Sequence, residues 1–229
     1  MAISFHWLGH SASLLQINDI NVLIDPFLTG NPLAAVSADE VPADFILVSH
    51  GHGDHVGDTV AIAKRTGARV ITNFEIGTWL SNQGVENVEG MNTGGTFHTE
   101  HFSVRLTIAM HGSDLPDGSN GGLAHGFMIT TPETRIYFSA DTDLFSEMKM
   151  YGEENIDLAV LPIGDYFTMG LERSVQAVQW LNPRAVIPIH YNTFPPIVQN
   201  AKEWAEMVHN HTSAAPIVLD PGGVYQVVG

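Results

Sequence analysis

The chain has 229 residues, enough to bury a substantial core in a single domain spanning residues 1–229. Apolar residues make up 44% and charged residues 15%, which describes a packed globular protein and not a disordered or fibrous one. The formal charge of −16, from 25 acidic against 9 basic residues, argues against a nucleic-acid partner, and the count of 0 cysteines excludes disulfides, thiolate metal sites and cysteine nucleophiles.

The N-terminus lacks a basic segment followed by an apolar one, and no apolar run approaches the roughly 20 residues of a membrane span. A cytoplasmic protein without a membrane partner is expected. The first fifty residues read as β-rich, with strands over 3–8, 13–17 and 20–24 and Asn18-Asp19 as a hairpin turn. Asp25-Pro26 ends the third strand, and residues 31–42 form a Pro-containing loop. The apolar run Phe45-Ile46-Leu47-Val48 is the next strand, followed at once by His50-Gly51-His52-Gly53-Asp54-His55. A strand ending in three imidazoles and a carboxylate delivers them at the carboxyl edge of a sheet, where open α/β folds place their sites. Gly51 and Gly53 are expected to give a tight turn and room for a metal.

Helical spacing covers 56–66 and 74–83, with a strand over 69–72 between them. Strand and turn signals return from 90 to 135, with strands over 103–109 and 126–131 and a Gly-rich loop over 117–122. A strand over 136–139 runs into Ala140-Asp141-Thr142. Helices are predicted over 144–151, 171–181 and 198–209, and strands over 157–162, 185–189 and 216–219. The expected fold is α/β (α+β), a four-layer αββα sandwich of two mixed sheets flanked by helices. Four apolar strands lead into ligand-type residues, at His50, His111, Asp141 and His190. Imidazole and carboxylate without thiolate suit Zn, Mn, Fe or Ni.

Residues His50, His52, Asp54 and His55, followed by His111, Asp141 and His190, resemble the ligand set of the metallo-β-lactamase superfamily, whose first motif is His-x-His-x-Asp-His. The resemblance spans essentially the whole chain. It implies that His50, His52 and His111 hold one divalent ion, that Asp54, His55 and His190 hold a second, and that Asp141 bridges them. Zinc is the leading candidate, with Mn, Fe or Ni as alternatives. A shared carboxylate and a bridging hydroxide would keep two ions about 3.5–4 Å apart.

Trp7-Leu8-Gly9-His10-Ser11, Leu23-Ile24-Asp25-Pro26-Phe27, Met91-Asn92-Thr93-Gly94-Gly95, Gly164-Asp165-Tyr166-Phe167-Thr168-Met169-Gly170 and His190-Tyr191-Asn192-Thr193-Phe194-Pro195 are similar to stretches of one branch of that superfamily. The branch holds uncharacterised metal-dependent hydrolases and is similar to L-ascorbate-6-phosphate lactonase and the N-acyl-phosphatidylethanolamine phospholipase D group. The family usually has Gly before the bridging Asp; Ala140 stands there in this chain, and a local adjustment is expected.

The activity so implied is attack of a metal-bridging hydroxide on an ester, lactone, amide or phosphodiester of a small molecule. Asp54 would serve as ligand and proton acceptor, and His10 would bind the oxyanion or protonate the leaving group. RNA cleavage is an alternative, because tRNA 3′-end nucleases share the six-residue motif, but three lysines, six arginines and no basic arm speak against it. An iron redox enzyme is disfavoured because superfamily diiron reductases generally carry a carboxylate where His52 stands, and no flavin module follows. A metal-dependent ligand sensor without turnover is the non-enzymatic alternative.

Asp25 and Asp165 read either as carboxylates that orient metal-bound imidazoles or as strand-end and turn caps. His6 reads as structural, His98, His101, His209 and His211 as exposed, and His125 as open between pocket and scaffold. Specificity is expected from loops 31–42, 111–126 and 166–170 with 193–197. Phe27, Leu28, Phe167, Met169, Phe194 and Pro195 read as partly apolar pocket walls, as a contact between copies in a homo-oligomer, or as core.

Overall fold

The computed structural model describes residues 1–228. The chain opens with β1 (Ile3–Gly9), β2 (Ala12–Ile17) and β3 (Ile20–Ile24). These form an antiparallel meander, with Asn18 in the left-handed region at φ 51 in the second turn. Next come β4 (Phe45–Leu47), α1 (Gly53–Val56), α2 (Thr59–Thr66), β5 (Arg69–Asn73), α3 (Phe74–Asn82) and β6 (Val88–Met91). Then follow β7 (Thr96–His98), β8 (Ser103–Ile108), β9 (His125–Thr130), β10 (Arg135–Phe138), α4 (Met148–Gly152), β11 (Leu158–Pro162), α5 (Leu171–Leu181) and β12 (Ala185–Ile189). The chain closes with α6 (Ala201–His211), β13 (Ala215–Pro216) and β14 (Val224–Gln226).

Two mixed seven-stranded sheets result, in the orders β14-β1-β2-β3-β4-β5-β6 and β13-β12-β11-β10-β9-β8-β7. Helices make most of the crossovers between parallel neighbours, α1 and α2 between β4 and β5 and α5 between β11 and β12, whereas β3 reaches its parallel neighbour β4 through the helix-free segment 25–44. β11 and β12 are buried at every residue, matching their unbroken apolar runs. Between the sheets Phe5, Leu15, Ile24, Leu106, Phe127 and Ile136 pack into one core that continues under α5 and α6 through Val178 and Trp204. A second core fills the space between the first sheet and its helices with Ile46, Val70, Ile62, Ile76 and Leu80. This is the expected αββα layering. Among the described residues no helix is long and apolar enough to cross a membrane.

Several boundaries differ from the sequence pattern. The helix expected over 56–66 breaks at Gly57, φ 41, where an added Cβ would lie 2.5 Å from the Pro26 carbonyl oxygen. Asp58 then restarts the helix while its carboxylate accepts the Leu28 and Thr29 N–H groups. The helix expected over 144–151 shrinks to α4, because Asp143 accepts the Leu144 N–H and turns the chain first. Residues Pro195–Ile197 form a 3-10 turn, so α6 starts only after Asn200, whose side chain accepts the Lys202 and Glu203 N–H groups. Of the strand expected over 216–219 only Pro216 lies in a strand, the two-residue β13 that it forms with Ala215. The unexpected β6, β7 and β14 are short, half-exposed strands at sheet edges with no apolar run to announce them.

Candidate metal centre

The ends of β4, β10 and β12, together with the segment after β8, bring the seven expected ligand residues to one edge of the sandwich. Their donor atoms fall into three groups, each within 4.8 Å: His50 with His52 and His111; His50 with His55 and Asp141; and Asp54, His55 and His190 with His10. Asp141 Oδ2 lies 2.9 Å from His190 Nε2, 3.4 Å from His55 Nε2 and 3.6 Å from His111 Nε2. One carboxylate oxygen therefore faces histidines of both expected ligand sets. On the open side His50 Nε2 and His52 Nδ1 approach to 3.1 Å.

This geometry is held from behind. The Asp25 carboxylate, fully buried, accepts the Ser49 N–H at 2.8 Å, the Ser49 hydroxyl at 2.6 Å and His55 Nδ1 at 2.8 Å. Because the Ser49 proton is committed to Asp25, Ser49 Oγ accepts from His50 Nδ1 at 2.9 Å. Both imidazoles thereby turn Nε2 toward the cluster, the arrangement metal-ligating histidines ordinarily show. Of the two carboxylates singled out in the sequence, Asp25 orients imidazoles of the cluster. Asp165, at φ 68, instead closes the turn before α5, its N–H donating to Met169 O.

His111 follows β8 and is placed by its own loop. Ser113 Oγ accepts the Gly51 N–H at 3.0 Å and donates to Gly121 O, stitching that loop onto the histidine cluster. A Cβ on Gly51 would come within 2.8 Å of Ser113 O, so Gly51 is needed for this approach; Gly53 has open space around it. Thr142 accepts the Met110 N–H through Oγ1 and the Met169 N–H through its carbonyl, tying the neighbours of His111 and Asp141 to the 165–170 turn.

His10, expected to face the substrate, is fully buried. Its Nδ1 is 2.8 Å from Thr193 Oγ1 and its Nε2 3.2 Å from Asp54 Oδ2, with Phe27 and Phe194 edge-on at ring distances of 5.8 Å and 5.5 Å. Ser49 and Thr193 are the site residues that sequence reading missed; hydroxyls carry no ligand signature, and only the fold brings them to the imidazoles. His125 is buried at the start of β9, its N–H donating to Ser49 O. His6 lies in β1 beside Ser4 Oγ, and His98, His101, His209 and His211 are on the surface as expected.

The backbone is strained at this edge. His10, Asp25, Ala140 and His190 have φ of 58, 45, 52 and 56, the left-handed region that non-glycine residues rarely enter.

Electrostatics follow from the crowding of imidazoles and carboxylates. Burial keeps His50 neutral, helped by the positive field of His55. Burial also disfavours charge on His55, but Asp141 and Asp25 outweigh it and push its pKa well above the ordinary value. For Asp141 burial works upward, and His190 and His55 overcome it and hold the carboxyl well below the usual range. Asp54 behaves alike: the His10 hydrogen bond and the His55 field outweigh burial and keep it ionised.

The donor set fits divalent cations. It is imidazole and carboxylate throughout, and His55 Nε2 and Asp141 Oδ1 are buried atoms with no protein hydrogen-bond partner, both at the centre of the cluster.

Known proteins resemble this chain in sequence and in fold. The β-lactamase superfamily domain pattern matches residues 20–191. A UPF0173 metal-dependent hydrolase of Thermus thermophilus is 48% identical, over 89% of this chain and 90% of its own length. Igni18, a metallo hydrolase from the hyperthermophilic archaeon Ignicoccus hospitalis, superimposes with a TM-score of 0.92 at 31% identity, covering 100% of both chains. The isothiocyanate hydrolase from Delia radicum gut bacteria shares the fold, at 19% identity and a TM-score of 0.77 over 98% of this chain and 100% of that one.

Proposed function

The chain belongs to the β-lactamase superfamily and, within it, to the UPF0173 metal-dependent hydrolases, and from this premise we propose that it uses two divalent ions, zinc first among them, to hydrolyse an ester or lactone of a small molecule in the cytoplasm. The observation that carries the two-ion reading is Asp141 Oδ2, set against Nε2 atoms of His190, His55 and His111 at 2.9, 3.4 and 3.6 Å. His50, His52 and His111 would hold one ion, Asp54, His55 and His190 the other, and Asp141 both. Ions bound there supply Lewis acidity that polarises the scissile group and acidifies the attacking water.

The chain's own residues do the rest. Asp25 and Ser49 engage Nδ1 of His55 and His50 and so aim both Nε2 atoms at the ion positions. Asp54, kept ionised and 32% exposed at its side chain, offers a carboxylate able to take a proton from the attacking water. Phe27 and Phe194 stand edge-on to the His10 ring that donates to this carboxylate, at ring distances of 5.8 Å and 5.5 Å.

The placement of the cations favours an ester or lactone over a phosphodiester or RNA. Arg69 and Arg135 open β5 and β10, and Arg184 directly precedes β12, all at the strand ends opposite the histidines. Lys64 and Arg65 lie in the last turn of α2. Arg105 pairs with Glu154 at 2.6 Å, Lys149 sits 4.5 Å from the Trp180 ring centroid, and Arg173 pairs with Asp143 at 2.9 Å. Lys202 stands in the first turn of α6. A site built for a polyanion would line its edge with lysine and arginine.

The test is metal quantification joined to a screen of lactones, esters and phosphodiesters. The expected result is two ions per chain and turnover of neutral esters or lactones, with His52→Ala and Asp141→Ala losing both metal and hydrolysis. Full activity of metal-free protein overturns the metal reading, and preferential cleavage of RNA at low salt or of phosphodiesters overturns the substrate reading.

A further inference from the structure

We propose that His10 is a positioning residue that assembles the Asp54–His55–His190 ligand set, its imidazole fixing Asp54, its carbonyl fixing His190, and Thr193 fixing its tautomer. This rests on the reading of that set as an ion site.

His10 sits in the turn between β1 and β2, and every polar atom it has beyond its backbone N–H is engaged toward this set. Its carbonyl oxygen accepts the His190 N–H at 3.1 Å and the Trp7 indole N–H at 2.8 Å. Its ring packs on that of His190 with centroids 4.1 Å apart. Trp7 in turn stacks on Tyr191 at 5.3 Å, so the hairpin and the segment after β12 interlock on both sides of the His10 carbonyl. Strain accompanies this placement, since His10 and His190 both take left-handed φ, 58 and 56.

The hydrogen bonding assigns the proton. The Thr193 hydroxyl has two acceptors in reach, His10 Nδ1 at 2.8 Å and Tyr191 O at 3.5 Å, and the shorter contact takes its proton. Nδ1 is then an acceptor and the ring proton is on Nε2, aimed at Asp54 Oδ2 at 3.2 Å, which as a carboxylate can only accept. The chain Thr193 O–H to His10 to Asp54 is satisfied at every atom and leaves Asp54 Oδ1 for a cation. Direct ligation by His10 would require a bare Nε2 and reverse the chain. A substrate-facing role would require an exposed ring atom, and His10 is 0% exposed.

The experiment uses the zinc-loaded full chain, challenged with a chromophoric chelator so that the affinity of each ion is read separately from activity. Wild type should release two ions in two steps; release of a single ion would overturn the two-ion reading itself, before any variant is made. Three variants then test His10. His10→Asn tolerates the left-handed backbone but cannot span Asp54 and Thr193, and it should weaken one ion roughly 10- to 100-fold and leave the other unchanged. Thr193→Val, whose shape is nearly that of threonine, should weaken the same ion in the same direction. His10→Gln returns an N–H near Asp54 and should restore part of the loss. Complete loss of one ion in both His10→Asn and His10→Gln, with Thr193→Val unaffected, would make His10 a ligand and overturn the proposal. Equal weakening of both ions, or no change in any variant, would overturn it in favour of packing alone.

Discussion

The two proposed ligand sets are built differently. In the set of His50, His52 and His111, His50 is fully buried, but His52 is half-buried and the His111 side chain 13% exposed, and His111 relies on a loop pinned through Ser113 to the Gly51 backbone, which makes this the more open side at its two outer members. On the other side His55 and His190 are at most 2% exposed and only Asp54, at 32%, reaches solvent, while Asp25, His10 and Asp141 fix that set through side-chain hydrogen bonds and ion pairs. The difference separates two tasks that an active site must combine. An open set leaves room for substrate and water, while a buried set keeps ligand atoms preorganised at the expense of strain and desolvation. The sets meet at Asp141 in front and at Asp25 behind.

The largest effect should come from breaking that rear junction. Asp25→Ala strips His55 Nδ1, the Ser49 N–H and the Ser49 hydroxyl of their shared buried acceptor, which should cost roughly 3–5 kcal/mol of stability in chemical denaturation. The milder Asp25→Asn keeps the shape and sharpens the comparison. If Ser49 transmits the orientation from Asp25 to His50, both ions should weaken, each by roughly 10- to 100-fold in chelator competition. Weakening confined to the His55 set would show that the open side stands without Asp25.

A second break uses acid, which should strike the buried support. His125 donates its backbone N–H to Ser49 O, and burial pushes its pKa from 6.5 down to about 4. The sign follows from this depression: the unfolded chain binds the proton first, so stability present above pH 6.5 is lost as pH falls toward 4. The loss amounts to roughly 3 kcal/mol by pH 4 from this residue. Denaturation midpoints of metal-depleted protein measured between pH 7 and 4 should therefore fall less steeply in His125→Leu than in wild type. Parallel curves would mean that His125 titrates in the fold as it does in the open chain.

How much of this could be read beforehand follows the same divide. The open set and its partners were legible because ligand-type residues stand where apolar runs end: His50 after β4, Asp141 after β10, His190 after β12. The layered fold was legible for a related reason, since buried strands such as β11 and β12 have no polar interruptions. The buried support was legible only in Asp25, one of two readings of a strand-end carboxylate, because a serine, a threonine and a hairpin histidine gain their meaning from partners distant in sequence. Thr193 lies 183 residues from His10, and Asp25 30 from His55. Gly51 was legible as a necessary glycine but for another reason, a close approach of Ser113 instead of a tight turn.

The smallest predicted effect tests whether backbone strain in front tunes the shared ligand. Ala140 precedes Asp141 at φ 52 with its methyl fully buried, which explains why glycine is at home in such a position. Ala140→Gly removes a left-handed penalty of about 1–2 kcal/mol. It also loses the burial of one methyl, about 0.8 kcal/mol, and frees the unfolded backbone by a further 0.5–1 kcal/mol or so. These terms nearly cancel, so stability should change by no more than about 1 kcal/mol and the affinity of both ions should hold. Were the affinity of both ions to move tenfold with stability unchanged, the strain at Ala140 would be setting the aim of Asp141, and the junction between the two sets would lie in the backbone as much as in the carboxylate.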